Sequence, residues 1–299
     1  MIFVIGEVLI DRFPAGDRPG GAPFNVACHL KQFGGQVRLI TRVGNDADGG
    51  RFQQMLGSRG FRVTDIQTDP DHLTGVVDIT LDNRGVPAFS IREDVAYDHL
   101  TLDQLPRDPD WADARLIYFG SLIQRSPAGY EQLKTALERR PAAATCFCDL
   151  NLRPPHYKPE TVIQCLHFAD VLKLNENELE EIGRLLGLQA TGAALTEYLM
   201  DWYHIAVIAI TRGARGSTII HGGDRIDTPA SPVDPVVDTV GAGDGYTAVL
   251  ALGMLQRQPL EKVAATAGDF AAGICRLAGA VPDDLRFYDP WKPFFGDHP

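Results

Sequence analysis

Short apolar runs alternate along the chain with stretches in which apolar residues return every three or four positions. Of the runs at 2–5, 37–43, 116–119, 145–150, 171–174, 205–211 and 217–221, most are apolar on both faces, the pattern of parallel strands covered on two sides. Helical spacing appears at 127–139, with Tyr130, Leu133 and Leu137, and at 175–186, with Leu179, Ile182, Leu185 and Leu186. The same rhythm recurs at 190–202 and 241–255, and a further helix is expected from Ala22. Strand and helix in alternation predict an α/β chain with a mostly parallel sheet between two helical layers. One segment departs from this. At 75–81, Val77, Ile79 and Leu81 share one face and Asp78 and Thr80 the other; Asn83-Arg84-Gly85 is a turn signal, and 86–91 returns. That is a half-exposed hairpin, which with the turn-rich residues 11–18 predicts a small β flap over one end of the sheet. The expected division is a core of 1–10, 19–72 and 96–299 with a lid of 11–18 and 73–95.

Composition narrows the class. With 299 residues, 44% hydrophobic and 22% charged, the chain is an ordinary globular protein with a sizeable core. The net charge of −11 repels a phosphate backbone, so nucleic acid is not an expected partner. Cys28, Cys146, Cys148, Cys165 and Cys275 are odd in number, scattered, and free of paired Cys-x-x-Cys motifs, so core thiols in a reducing cytoplasm are expected. The N-terminus reads as a strand rather than a secretory signal, since Glu7 and Asp11 follow closely. No apolar run reaches the ~18–20 residues of a membrane span. The eight histidines show no clustering in the sequence, and His29, His99, His167 and His204 are expected to be ordinary surface or half-buried residues. No Ser-His-Asp or His-Glu-x-x-His arrangement supports a hydrolase.

The strongest chemical signal is Asp238-Thr-Val-Gly-Ala-Gly-Asp-Gly245, opening the apolar helix at 241–255. Glycines let backbone N–H groups converge, and a helix start adds partial positive charge, so the string forms an anion cradle. Asp244 in the first helical turn would repel a phosphate unless it accepts a proton from a hydroxyl attacking that phosphate. A plain helix cap accounts for the same residues less fully.

At this string the sequence resembles the ribokinase-like (PfkB) family of sugar and nucleoside kinases, and five further motifs extend the resemblance from Gly6 to about Ala280. They are Gly6-Glu-Val-Leu-Ile-Asp11, Gly20-Gly-Ala-Pro-Phe-Asn-Val-Ala27, Val43-Gly-Asn-Asp46 with Gly49, Lys173-Leu-Asn-Glu-Asn-Glu178 and Thr211-Arg-Gly-Ala-Arg-Gly216. The resemblance implies a three-layer α/β/α sandwich with a small β-sheet lid, ATP and Mg²⁺, and phosphoryl transfer to a sugar hydroxyl. It places Asp244 as catalytic base beside the amides of Gly241, Ala242 and Gly243. Asp11, Gly20, Gly21 and Asn25 would hold the sugar. Arg153 would stabilise phosphoryl charge or contact the substrate, or else pair with a local acid, and Arg92 on the flap would meet the substrate or be merely solvated. Lys173, Asn175, Thr211, Gly213, Gly216, Gly241 and Gly243 would line the nucleotide. Asn175 and Glu178 would organise Mg²⁺ through its waters, although the same pair makes a capping box. Asp238 matches a ligand position for a monovalent cation such as K⁺. The family's flap often mediates dimers, and Val77, Ile79 and Leu81 would supply that face here.

The form of residues 20–27, the flap strand ending in Ala96-Tyr97-Asp98, and Asp149-Leu-Asn-Leu-Arg153 are similar to fructokinases. D-fructose, yielding fructose 6-phosphate, is the expected reaction. Ribose and 2-keto-3-deoxygluconate remain open, as does a non-catalytic sugar or nucleotide sensor on the same fold. Dinucleotide oxidoreductases and P-loop enzymes lack support, because neither Gly-x-Gly-x-x-Gly after the first strand nor Gly-x-x-x-x-Gly-Lys-Ser/Thr occurs.

Overall fold

The first strand, β1 (Ile2–Ile5), sends alternate side chains to opposite layers, as a strand period of two requires. Ile2 and Val4 join one buried cluster, while Phe3 and Ile5 join another on the far face of the sheet. The computed structural model describes residues 1–14, 16–81 and 87–296; the turn signal at Asn83-Arg84-Gly85 lies outside them.

The remaining elements follow in chain order. They are β2 (Leu9–Phe13), β3 (Gly16–Gly20), α1 (Ala22–Gln32), β4 (Val37–Gly44), α2 (Ala47–Ser58), β5 (Ile66–Asp69), β6 (Gly75–Leu81) and β7 (Pro87–Ile91). Then come β8 (Leu116–Gly120), α3 (Pro127–Glu138), β9 (Thr145–Asp149), α4 (Pro159–Phe168), β10 (Val171–Asn175), α5 (Glu176–Leu185), α6 (Gly192–Tyr203) and β11 (Val207–Thr211). The chain closes with β12 (Ser217–His221), β13 (Asp224–Thr228), α7 (Ala242–Leu255), α8 (Leu260–Ile274) and the single turn α9 (Lys292–Phe295).

Among the described residues the strands form a nine-stranded sheet in the order β13-β12-β11-β10-β9-β8-β1-β4-β5 and a four-stranded sheet in the order β3-β2-β6-β7. All neighbours from β11 to β5 run parallel, and β12 and β13 are antiparallel. One face of the large sheet packs on α1, α2, α7 and α8, through residues such as Phe24, Phe52, Val249 and Phe270. The other packs on α3, α4, α5 and α6, through Leu133, Val162, Ile182 and Leu199. This is the three-layer sandwich of the ribokinase-like fold.

Strand order locates the crevice. From β1 the chain builds outwards to β4 and β5, then returns to place β8 on the other side of β1. Ligands of open α/β sheets bind at such a reversal, beyond the C-terminal ends of the strands. Both excursions into the small sheet leave the core at that same edge: β2 and β3 follow β1, and β6 and β7 follow β5.

Two expectations need correction. Val77 and Ile79 are 5% and 3% exposed and belong to the chain's own core, so they are not an open dimer face; Phe89 on β7 is the exposed apolar residue there. His29 is not a surface histidine either. It is fully buried on α1, its Nδ1 lies 2.9 Å from the Tyr288 hydroxyl, and burial pushes its pKa down to about 3. All five cysteines are free, and only Cys275 is not buried. No helix among the described residues is long and apolar enough to cross a membrane.

Candidate active site

The site gathers at the C-terminal edge of β1, β9 and β10, where the start of α7 meets the start of α1. Gly241 caps α7 in the left-handed region, with φ 79°, and a Cβ there would overlap Ala280. Only glycine therefore turns the chain tightly enough to present the first amides of α7. Among the described residues, the amides of Gly241, Gly243 and Asp244 have no protein acceptor. Ala242, expected to share in the cradle, instead donates to the Thr239 carbonyl at 3.3 Å. The orphan amides and the helix start face the same space, which suits an anion.

Asp244 stands in that first turn and accepts a hydrogen bond of 2.7 Å from Asn25 Nδ2 of α1. Burial, reinforced by the charge of Asp149, pushes its pKa up to about 6, against the opposing pull of the Asn25 bond and Lys173. Because a carboxylate can only accept, the contact fixes the orientation of the Asn25 amide. Asn25 Oδ1 is thereby left buried without a partner, an acceptor suited to a hydroxyl donor.

Beneath the cradle lies a buried ion pair. Lys173 on β10 is 3.0 Å from Asp149 on β9, its register partner. Thr247 of α7 donates to the other Asp149 oxygen at 2.8 Å. A Cβ on Gly243 would stand 3.3 Å from Lys173 Nζ, so the ammonium presses against the cradle from below. Desolvation opposes that charge, but Asp149 and its neighbours keep the Lys173 pKa above the usual lysine value. Expected as a nucleotide contact, Lys173 is committed to Asp149.

On the side of the small sheet, a Cβ on Gly20 would overlap Asp11 Oδ2, and one on Gly21 (φ 107°) would stand 2.7 Å from the Glu7 carbonyl. The glycine pair thus lets the loop lie directly on the exit of β1. Burial pushes Asp11 up to about 6, with Arg153 pulling down and Asp244 pushing up. Glu7, which the motifs did not single out, is 5% exposed, and burial pushes it up to about 7. Its position in Gly6-Glu7 directly after a buried strand was the available signal. Arg153 is exposed and makes no ion pair among the described residues; the one hydrogen bond its side chain makes there, 3.4 Å, is to the Leu152 carbonyl.

Other expected residues have protein partners of their own. Arg92 is held by Asp78 at 2.7 and 2.9 Å within the small sheet. Asn175 and Glu178 form a reciprocal capping box, and the second Glu178 oxygen accepts the Leu152 amide at 2.8 Å. Thr211 is the register partner of Asn175, so the turn through Gly213 and Gly216, both at positive φ, continues that edge away from Asn25. Asp238 accepts the Val240 and Gly279 amides at 3.0 and 3.2 Å and lies 3.8 Å from Arg18 of β3.

An α/β sandwich with a small flanking sheet, a glycine-bounded amide cradle and a carboxylate above it defines a class of phosphoryl-transfer enzymes that act on alcohols. The chain belongs to the pfkB family of carbohydrate kinases, whose family model matches residues 4–285. It is 31% identical over 281 residues to a sugar kinase of Pyrococcus horikoshii, covering 87% of this chain and 84% of that one. The crystal structure of that uncharacterized kinase in complex with ATP superposes with a TM-score of 0.79, covering 94% of each chain at 28% identity. Fructokinase of Escherichia coli is 29% identical over 264 residues, 85% of this chain and 84% of its own. Aminoimidazole riboside kinase of Salmonella enterica, at 23% identity, shares the fold with a TM-score of 0.80 over 99% of each chain. The chain is therefore a kinase that transfers a phosphoryl group to an alcohol.

Proposed function

We propose that this kinase transfers the γ-phosphoryl group of ATP to the primary hydroxyl of D-fructose, giving fructose 6-phosphate and ADP. The observation that carries the reading is the divided amide of Asn25: Nδ2 is spent on Asp244 while Oδ1 is buried and unpartnered. A sugar hydroxyl seated on Oδ1 stands beside the carboxylate that would deprotonate its neighbour. Asp244 takes the proton as the oxygen attacks phosphorus, the amides of Gly241 and Gly243 receive the charge spreading over the phosphoryl oxygens, and ADP departs. Asp11, Gly20 and Gly21 shape the sugar side. The small sheet would act as the lid that keeps water from competing.

Charge favours a neutral acceptor over a sugar acid. Glu7, Asp11 and Asp244 share the crevice with Arg153, whereas Lys173, Arg92 and Arg125 are committed to Asp149, Asp78 and Asp98. A carboxylated acceptor would add a further negative charge to that group. Similarity to the fructokinase of E. coli supports fructose among neutral sugars.

The oxygen donors of Asn175 and Glu178 fit Mg²⁺ held through its water shell. Each Glu178 oxygen accepts one amide and keeps a lone pair for a metal-bound water. When bound with ATP, the ion would neutralise phosphate charge. Asp238 fits K⁺ less well, because both its oxygens already accept amides and Arg18 supplies a positive charge; no step is derived through that ion. Coupled ADP release over D-fructose, D-ribose, 2-keto-3-deoxygluconate and a nucleoside tests the assignment. Turnover selective for fructose is expected, and selective turnover of the sugar acid would overturn it.

A further inference from the structure

We propose that His72, Asp94 and His99 form a binding site for a first-row divalent cation of the Zn²⁺ type, placed across the two chain segments that join the small sheet to the core. His72 lies between β5 and β6, leading into the small sheet, and Asp94 and His99 follow β7, leading out of it. One ligand atom from each of the three lies within 4.8 Å of the others. Asp94 Oδ1 is central, 2.9 Å from His99 Nε2 and 3.7 Å from His72 Nε2. Ligand atoms on a tetrahedral ion with bonds of ~2.0–2.1 Å are about 3.3 Å apart, so these distances bracket what coordination requires.

A further observation comes from behind the cluster. His72 Nδ1 lies 3.0 Å from Asp69 Oδ1, a carboxylate that is 1% exposed. Asp69 is an acceptor throughout: the amides of Asp71 and His72 donate to Oδ1 at 2.9 Å each and Arg42 donates to Oδ2 at 2.7 Å. Facing such an acceptor, His72 carries its N–H on Nδ1, which leaves the lone pair on Nε2, towards Asp94. This is the carboxylate–imidazole arrangement that orients ligands in metal sites. Asp94 itself is held at φ 55°, and its Oδ1 lies at the Nε2 edges of both rings. The imidazoles stack at 3.6 Å with an interplanar angle of 15°. One ring must therefore turn to share an ion in its plane, and the His99 side chain, 34% exposed, is open to solvent.

Two imidazoles and a carboxylate are a borderline donor set, favouring Zn²⁺, Ni²⁺ or Cu²⁺ over Mg²⁺. The site is thus chemically distinct from the all-oxygen edge at Asn175 and Glu178. A bound ion would tie residue 72 to residues 94 and 99 and stiffen the base of the small sheet.

The test is isothermal titration of untagged, EDTA-stripped full-length protein with ZnCl₂. One ion per chain is expected, with a dissociation constant below about 10 μM and a metal-dependent rise in melting temperature. His99→Gln and Asp94→Asn should each weaken binding by about tenfold or more and abolish that rise. Both side chains are partly exposed, so the metal-free melting temperature should not change. His72→Gln provides a third variant. Absence of saturable binding below about 100 μM, or undiminished affinity in the His99 and Asp94 variants, overturns the proposal.

Discussion

Asn25 and Asp244, 219 residues apart, meet through a 2.7 Å hydrogen bond that joins the start of α1 to the start of α7. That contact couples the loop proposed to hold the sugar to the cradle proposed to hold phosphate. Asp244→Asn keeps shape and hydrogen-bonding capacity but removes the base. Turnover is expected to fall by about 10²–10⁴-fold, with the KM for ATP little changed, in a coupled ADP-release assay. Retention of more than about a tenth of the wild-type rate would mean that another group takes the proton.

The acid limb of the pH profile follows from the same carboxylate. Burial sets Asp244 at about 6, and only its ionised form accepts a proton. kcat/KM is therefore expected to fall as pH drops through about 6, roughly tenfold per pH unit well below it. A profile flat down to about pH 5 excludes Asp244 as the base.

Glu7 offers a stability test. Its pKa rises from 4.5 to about 7 through burial, so the folded protein holds a proton that the unfolded chain releases. Stability attributable to Glu7 is full below about 4.5 and is lost as pH rises through about 7. Glu7→Gln has no charge to bury and should be more stable than wild type at pH 8, by an order-of-magnitude 3 kcal/mol at most. The gain should vanish near pH 4. Urea denaturation at both pH values measures it, and a gain that does not depend on pH would contradict the buried-proton account.

Gly241→Ala should damage the cradle without touching any side chain of the site. The new methyl would overlap Ala280, and φ 79° is strained for alanine. kcat/KM for ATP is expected to drop at least about tenfold, since the presented amides are what hold transition-state charge. Gly50→Ala is a control, being in open space on α2.

Most strands of the large sheet were legible because they are largely apolar on both faces; the short β5, Ile66–Asp69, was not, since it carries a single apolar residue. The edge strand β13, Asp224–Thr228, was not, because its residues are largely exposed and no period of two survives. α2 carries Gly49, Gly50 and Gly57, which disguise a helix capped by Asp46. α8 builds its buried stripe partly from Ala264, Ala267 and Ala272, too small to stand out. In the candidate site, Asn25 and Asp244 were found through their motifs. Residues that act through long-range neighbours were not. Glu7 has no local partner to betray it, the Lys173–Asp149 pair needs the register of two strands, and the His72–His99 stack joins residues on either side of the small sheet.

The Lys173–Asp149 pair yields the prediction that best separates architecture from chemistry. Both charges are buried, and Asp149 has Thr247 as its other side-chain partner. Lys173→Met leaves an uncompensated carboxylate and should cost about 3–5 kcal/mol, whereas Lys173→Met with Asp149→Leu should recover much of that loss. The ammonium also lies against Gly243, so its charge supports whatever anion the cradle holds. The double variant is therefore expected to fold stably yet bind ATP at least about tenfold more weakly. Equilibrium unfolding and ATP titration on the same samples read the two effects separately. If stability and ATP affinity recover together in the double variant, Lys173 is a structural counter-ion and contributes nothing to the cradle.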